Sequence, residues 1–218
     1  SSSRREMRSL KAMLWTCCLL LAVDVHARVE PATKVAFKDS LSGQPLVGVG
    51  VRKKGPIKVY GIGMYVDSLG SKMALSKYKK HASAAELPKQ FFEDVLGGFG
   101  KTLLLKMVYG VSKEKMAGAL AESIKPRMSG SLSAVAEFEQ MLMAGCEAHA
   151  MGGRAAGGTE FQFAVRGSSL GVQVNGKKVG TISSKPLCQA LLKCYFDGKS
   201  VAPSLKSTCA EGLLERLH

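Results

Sequence analysis

Two polar side chains that could bind a ligand, Arg52 and Tyr60, stand in an otherwise apolar and glycine-rich stretch, VGVGVRKKGPIKVYGIGMYVD, at residues 47–67. A guanidinium offers a planar fork of charged donors and a phenol adds another donor, so together they could bind an anionic group. They share a face of a hairpin only if the loop has an odd number of residues, for example 53–57. The plainer interpretation is a surface arginine beside a turn and a core tyrosine whose hydroxyl reaches the edge.

Standard catalytic and cofactor motifs are missing from the sequence. The histidines that follow the N-terminal segment, His81, His149 and His218, stand in unrelated contexts and suggest no catalytic triad. The GIG at 61–63 lacks the helix start and the downstream acid of a dinucleotide site. We therefore predict no catalytic residue and no cofactor.

Four cysteines lie beyond the N-terminal segment: Cys146, Cys188, Cys194 and Cys209. They form no C-x-x-C pair and have no histidine at ligand spacing, so we predict no metal site. Cys188 and Cys194 are six residues apart on a predicted helix. They lie on different faces of that helix and should not bridge each other. Buried free thiols and disulfides with other partners both stay open.

The first 27 residues predict export. A basic start is followed by an apolar run, AMLWTCCLLLAV at 12–23, and by small residues around a cleavage site after Ala27. The alternative is a membrane anchor, but about 12 apolar residues are too few for a bilayer that needs about 20. We expect a secretory signal peptide at 1–27 and no stable membrane span. The destination, whether secreted, periplasmic, lumenal or a plastid reached through the secretory route, stays open.

The charge balance favours anionic partners. The formal net charge is +14, and it remains +12 without residues 1–27. The basic clusters at 51–55 and 77–81 lack the interleaved aromatic residues of a base-stacking surface, so no nucleic acid partner is predicted. The oligomeric state is not predicted.

The remaining chain, 28–218, predicts one α+β domain, an antiparallel sheet with helices packed on one face. The alternate glycines of the first hairpin indicate close approach of a ligand or of another backbone. The predicted strands are 34–39, 46–52, 57–67, 101–110 and three short runs within 159–184, two of which meet at Asn175-Gly176. The predicted helices are two within 71–97, one capped by Ser112, and three at 131–145, 186–198 and 204–217.

With these elements in order, the sequence resembles the chalcone isomerase-like family over about 32–217. The resemblance rests on the R-x7-Y hairpin of Arg52 and Tyr60 and on the ending VNGKKVGTISSKPLCQALLKCYFDGKSVAPSLK. The family implies an open-faced β-sandwich with a ligand cleft between sheet and helices. The spacing of eight from Arg52 to Tyr60 is similar to that of its short-hairpin bacterial members.

The resemblance to true chalcone isomerases is incomplete. Their arginine falls on Arg52, but their threonine falls on Tyr60. The expected tyrosine falls near Ser112, the asparagine near Ala119, and the late serine or threonine near Cys194. Only Tyr109 is close enough to substitute for the missing tyrosine.

The fatty-acid-binding members of the family are more similar, since they pair an arginine with a tyrosine at these first two positions. The resemblance implies a non-catalytic protein that binds a hydrophobic carboxylate, a fatty acid, in the cleft. The alkyl chain would lie beside the alternate glycines. The expected ligand-binding residues are Arg52, Tyr60, Ile62, Met64, Ser112 and Cys194. Aromatic residues that could line the cleft are Tyr65, Phe91, Phe92, Phe161 and Phe163, although a position in the core is the plainer interpretation of each. Tyr195 lies near the end of the cleft in relatives, and its role stays open. The alternatives are an intramolecular lyase of the chalcone–flavanone isomerase type and a ligand-free interaction or structural module.

Overall fold

A computed structural model describes residues 26–218. Over this range the chain forms nine strands and six α-helices. The strands are β1 (Ala27–Val29), β2 (Ala36–Lys38), β3 (Ser40–Leu41), β4 (Gln44–Lys54), β5 (Ile57–Val66), β6 (Lys101–Met107), β7 (Glu160–Arg166), β8 (Ser169–Val174) and β9 (Lys177–Ser183). The helices are α1 (Ser68–Leu75), α2 (Lys89–Leu96), α3 (Lys113–Ile124), α4 (Ser133–His149), α5 (Lys185–Phe196) and α6 (Pro203–Glu215).

Strands β3 to β9 form one antiparallel sheet in chain order, and β1 pairs with β2 in a separate small sheet. The predicted turn at Asn175-Gly176 joins β8 to β9, and both residues have left-handed φ angles, 48° and 74°. Asparagine and glycine adopt such angles most easily, which is why they fix this hairpin. The predicted α+β architecture, an open-faced β-sandwich, is confirmed.

The two faces of the sheet are covered by different parts of the chain. On the helix side, alternate residues of neighbouring strands, such as Ile62, Leu105 and Phe161, align in register and belong to the main core with the helices. On the other side, Tyr65 and Leu104 pack with Phe37 of β2 in a second, smaller cluster. The strand period of two therefore separates the two cores cleanly.

The space beside the alternate glycines of the first hairpin is filled by other parts of the protein and not by a ligand. A Cβ at Gly48 would lie 2.6 Å from the backbone nitrogen of Cys209 in α6, and one at Gly50 would collide with Leu205. On the opposite face, a Cβ at Gly63 would lie 2.7 Å from the Phe37 ring. The expectation that these glycines leave room for an alkyl chain is thus wrong, because α6 and β2 occupy the space.

Helix α6 also protects the exposed edge of β4. The backbone N–H groups of Val49 and Val51 donate to the hydroxyls of Thr208 and Ser204, each at 3.1 Å, and Thr208 Oγ1 donates back to Val49 O at 2.7 Å. These hydroxyls replace the neighbouring strand that an edge lacks, so the edge is closed to pairing with another chain. The same contacts fix β4, and with it Arg52, against α6.

Three element boundaries differ from the sequence prediction. The two helices predicted within 71–97 are found, but α1 begins at Ser68, before the predicted region, and two 3-10 turns separate it from α2. The strand predicted to end at 110 ends at Met107, because the N–H groups of the next two residues both donate to Val59 O of the hairpin. Helix α4 continues to His149.

All four cysteines in residues 26–218 are buried free thiols, which also confirms that Cys188 and Cys194 do not bridge. The predicted signal peptide lies outside the described residues except for its last two, and Ala27 pairs with Lys38 in β1. Within 26–218, no helix is both long and apolar enough to cross a membrane.

Candidate ligand-binding site

A bulge in the β4–β5 hairpin brings Arg52 and Tyr60 to one face. The strands are joined by a turn of two residues at 55–56, an even number, and not by a loop with an odd number of residues such as 53–57. A turn of two residues alone would place Arg52 opposite a different residue. One extra residue, Val59, shifts the register between the pairs so that Arg52 and Tyr60 become direct Cα partners.

The Arg52 guanidinium lies half-buried between the hairpin and α3. Its Nη1 donates to Ser123 Oγ at 3.3 Å, and Ser123 Oγ donates in turn to Ala119 O at 2.9 Å. Among the ion pairs formed within residues 26–218, none includes Arg52. This positive charge is therefore partly desolvated, and its polar side-chain neighbours in the described chain, the hydroxyls of Ser123 and Tyr60, are both neutral.

Two buried phenols stand beside this guanidinium. The hydroxyls of Tyr60 and Tyr195 are 3.0 Å apart, and either can be the donor. Burial raises the pKa of both phenols, and the nearby Arg52 charge offsets only part of this effect. Both tyrosines are therefore neutral at physiological pH and can donate a hydrogen bond.

Cys194 completes this cluster from α5. Its Sγ lies 3.3 Å from Ser123 O and 3.2 Å from Ala190 O, so the thiol donates to backbone carbonyl oxygens. Burial raises the pKa of Cys194 to about 12. The thiol is thus protonated at neutral pH and is not a nucleophile.

An open pocket of about 580 Å³ adjoins Arg52. Its apolar walls come from the hairpin, from the segment after β6 and from α3, and they comprise Ile57, Val59, Tyr109, Val111, Met116 and Ala119. Its charged lining comprises Arg52, Lys53, Lys54, Lys115 and Glu122. The pocket therefore has apolar walls, and its charged side chains carry a net positive charge.

The structure places Ser112 away from Arg52 and buries two other expected site residues, Ile62 and Met64, in the core. Ser112 caps the N-terminus of α3, accepting from Lys115 N at 3.2 Å, whereas Arg52 contacts Ser123 near the other end of that helix. Eleven helical residues correspond to about 16 Å. Ile62 and Met64 lie on the same face as Tyr60 but are completely buried in the core. Their roles in ligand binding stay predictions.

The aromatic residues considered for the cleft, and Tyr195 with them, belong to the core or pack against it, which agrees with the plainer interpretation of them. Phe91, Phe161 and Phe163 are completely buried in the main core, with Phe92 packed against it. Tyr65 lies on the opposite face of the sheet and donates its hydroxyl to Lys38 O at 3.0 Å. Only Tyr195 reaches the polar cluster around Arg52.

An ion pair between α3 and α5 positions Ser123, and no sequence motif indicated it. Arg127 Nε donates to Asp197 Oδ2 at 2.7 Å, and its Nη1 donates to Ser123 O at 2.7 Å. Burial alone would raise the pKa of Asp197, but the Arg127 partner holds it below its usual value. Neither Ser123 nor Arg127 could be placed near Arg52 without knowing how the helices dock.

Comparisons with known proteins identify the family and the fold of this chain. The family model described as chalcone isomerase-like matches residues 27–209. The search of curated proteins finds no match. Among solved structures, the crystal structure of a fatty-acid binding protein of Arabidopsis thaliana is similar at a TM-score of 0.76 and 22% identity, covering 88% of this chain and 99% of that one. At this identity the structural likeness shows the fold, and the family match shows membership. This chain belongs to the chalcone isomerase-like family.

Proposed function

We propose that this protein binds a fatty acid or a similar hydrophobic carboxylate, with the carboxylate at Arg52 and the hydrocarbon in the adjoining pocket. The observation that carries the proposal is the half-buried Arg52 guanidinium, which forms no ion pair within residues 26–218. A partly desolvated cation without a counter-ion is unfavourable. A ligand carboxylate would supply the missing charge.

The phenols next to Arg52 provide a further donor. A hydroxyl can accept one hydrogen bond and donate another, so Tyr60 can accept from Tyr195 and donate to a carboxylate at the same time. This arrangement would leave no buried hydroxyl without a partner. Charge-assisted hydrogen bonds of this kind are about twice as strong as neutral ones.

The pocket has the size and character of a small-molecule site. Ligand sites usually measure about 300–1,000 Å³ and combine apolar walls with a few polar groups. The pocket beside Arg52, at about 580 Å³, fits this description. The similar Arabidopsis structure is that of a fatty-acid binding protein, which supports the same class of ligand here.

The chemistry of the cluster favours binding over catalysis. Tyr60, Tyr195 and Cys194 are all held in their protonated forms by burial, and Ser123 is an unactivated hydroxyl. A general base with a pKa near 7 would assist the deprotonation of a phenolic substrate, and none of these four groups is such a base. Glu122, the carboxylate on the pocket wall, is exposed to solvent and lies outside the buried cluster.

A binding comparison tests the proposal. Protein stripped of lipid is titrated calorimetrically with palmitate, with its methyl ester and with 1-hexadecanol. We expect the acid to bind at least tenfold more tightly than the two neutral analogues, because only the acid pairs with Arg52. Equal binding of acid and ester would contradict the proposal, and loss of absorbance from a supplied chalcone would favour the isomerase alternative.

We also propose that the protein acts in the secretory pathway of its host. The basic start, the apolar run at 12–23 and the small residues before position 28 support this location. N-terminal sequencing of protein purified from its host should begin at Arg28. A chain that retains residues 12–23 would contradict cleavage.

A further inference from the structure

Three large apolar side chains are exposed at or beside the mouth of the pocket, two of which, Ile57 and Tyr109, also line it. Ile57, Val108 and Tyr109 have 41%, 39% and 50% of their surface exposed. They belong to neighbouring segments, since the N–H groups of Val108 and Tyr109 both donate to Val59 O, at 3.0 and 3.1 Å. We call these three side chains, together with the nearby Lys53, Lys54 and Lys115, the mouth surface.

Exposed lysines surround these apolar side chains. Lys53 and Lys54 lie on the hairpin tip, and Lys115 lies in the first turn of α3. None of these three joins an ion pair within residues 26–218. Lys58, the cross-strand partner of Lys53, donates its Nζ to Ala32 O at 2.6 Å and is not part of this group.

We propose that the mouth surface docks onto anionic lipid bilayers, an inference that rests on the proposed function and deepens it. An apolar centre with a tyrosine, ringed by lysines, matches the boundary between lipid headgroups and acyl chains. Each lysine near an anionic membrane contributes about 1 kcal/mol of attraction, which is about fivefold in affinity. Docking here would open the pocket directly onto the phase in which fatty acids dissolve.

A bilayer fits this surface better than a nucleic acid or an acidic protein does. The exposed side chains at its centre are apolar and would gain nothing from a polyanion, whereas they can insert into the headgroup region. The pocket of the proposed ligand opens at the same place, with Lys53, Lys54 and Lys115 on its wall. Two acidic residues, Glu114 and Glu122, lie nearby on α3, and the lysines outnumber them.

Vesicle co-sedimentation of the ligand-free protein tests the docking. We expect binding to vesicles with about one-third phosphatidylglycerol, weak binding to pure phosphatidylcholine, and loss of binding as salt rises. The charge-reversed variant Lys53→Glu/Lys54→Glu should bind the anionic vesicles at least tenfold more weakly. Val108→Ser/Tyr109→Ser should also weaken binding several-fold.

Matched variants at the other end of the sheet provide the control. Leu69 and Met73 on α1 are 70% exposed each, and Lys79 and Lys80 are exposed nearby in the chain. Leu69→Ser/Met73→Ser and Lys79→Glu/Lys80→Glu should bind vesicles within twofold of the parent. Equal losses in these controls, no preference for phosphatidylglycerol, or binding to heparin in place of vesicles would overturn the proposal.

The two proposals fail in different experiments. Arg52→Ala should keep binding to anionic vesicles, within about twofold, while losing palmitate in solution. If the parent docks on vesicles but Arg52→Ala takes up palmitate as the parent does, the ligand site is wrong and docking stands. If palmitate binding depends on Arg52 but the parent ignores anionic vesicles, docking is wrong and the ligand site stands.

Discussion

The hydroxyl oxygens of Tyr60 and Tyr195 lie 3.0 Å apart in the core, joining the first long hairpin to helix α5. Both side chains are buried, so each hydroxyl depends on the other for its hydrogen bond. A buried polar group that loses its partner costs about 1 to 3 kcal/mol. The pair is therefore energetically coupled, although the two residues are far apart in the sequence.

We expect a double-mutant cycle to show this coupling. Tyr60→Phe or Tyr195→Phe alone should lower the free energy of unfolding by about 1 to 3 kcal/mol, because the remaining hydroxyl loses its partner. The double variant should lose clearly less than the sum, since it leaves no hydroxyl unsatisfied. Urea unfolding of the four proteins measures the cycle. Simple additivity of the two losses would show that the hydrogen bond contributes little.

Substitutions of Arg52 should distinguish the contribution of its charge to fatty acid binding from that of its planar guanidinium. Arg52→Ala should weaken fatty acid binding by roughly tenfold or more, because a charged hydrogen bond contributes about 1.5 to 3 kcal/mol. Arg52→Lys should have a smaller effect, since it keeps the charge and loses the planar fork. Arg154→Ala, at an exposed arginine elsewhere, is the matched control. Affinities within twofold of the parent for all three variants would contradict the assignment of Arg52.

The close contact of α6 with β4 predicts a severe effect of one methyl group. Gly50→Ala would place a Cβ against the backbone of Leu205, which cannot move without displacing α6. We expect a loss of about 2 kcal/mol or more, at the upper end of the usual range for overpacking. Gly198→Ala is the control, because a Cβ there meets no atom within 4 Å. Similar thermal unfolding of the two variants would mean that α6 is held more loosely.

The sequence predicts both hairpins because strand periodicity and turn chemistry are local. The strands on either side of residues 55–56 and the turn at Asn175-Gly176 both follow from neighbouring residues, and both are found. That Arg52 and Tyr60 share a face depends instead on a bulge between them. The bulge at Val59 could not be predicted, since valine is an ordinary strand residue with no signature of its own.

Contacts between segments that are distant in the sequence could not be predicted from local patterns. The alternate glycines did indicate a close approach, but whether a ligand or another backbone approaches depends on α6, about 150 residues away along the chain. Ser123 is likewise one polar residue among several on α3. Its proximity to Arg52 follows from helix docking, which the helical period does not specify.

The ion pair between Arg127 and Asp197 predicts a pH dependence of stability. The pKa of Asp197 is lowered in the folded protein, so the folded state favours the carboxylate more than the unfolded chain does. Its stabilising contribution is therefore complete above the unfolded pKa of about 4 and is lost as pH falls through the lower folded pKa. Asp197→Asn should remove this contribution at neutral pH.

We expect Asp197→Asn to lower the free energy of unfolding at pH 7 by about 1 to 2 kcal/mol, since a charge-assisted pair that is only partly buried is lost. The difference between parent and variant should shrink as pH falls below about 4, because the unfolded parent is then stabilised by binding a proton at Asp197, and it should vanish below the lower folded pKa. Because Arg127 also donates to Ser123 O, the variant should weaken fatty acid binding modestly by loosening α3 near Arg52. A stability difference that stays constant from pH 7 to pH 3 would show that the pair acts through packing rather than charge.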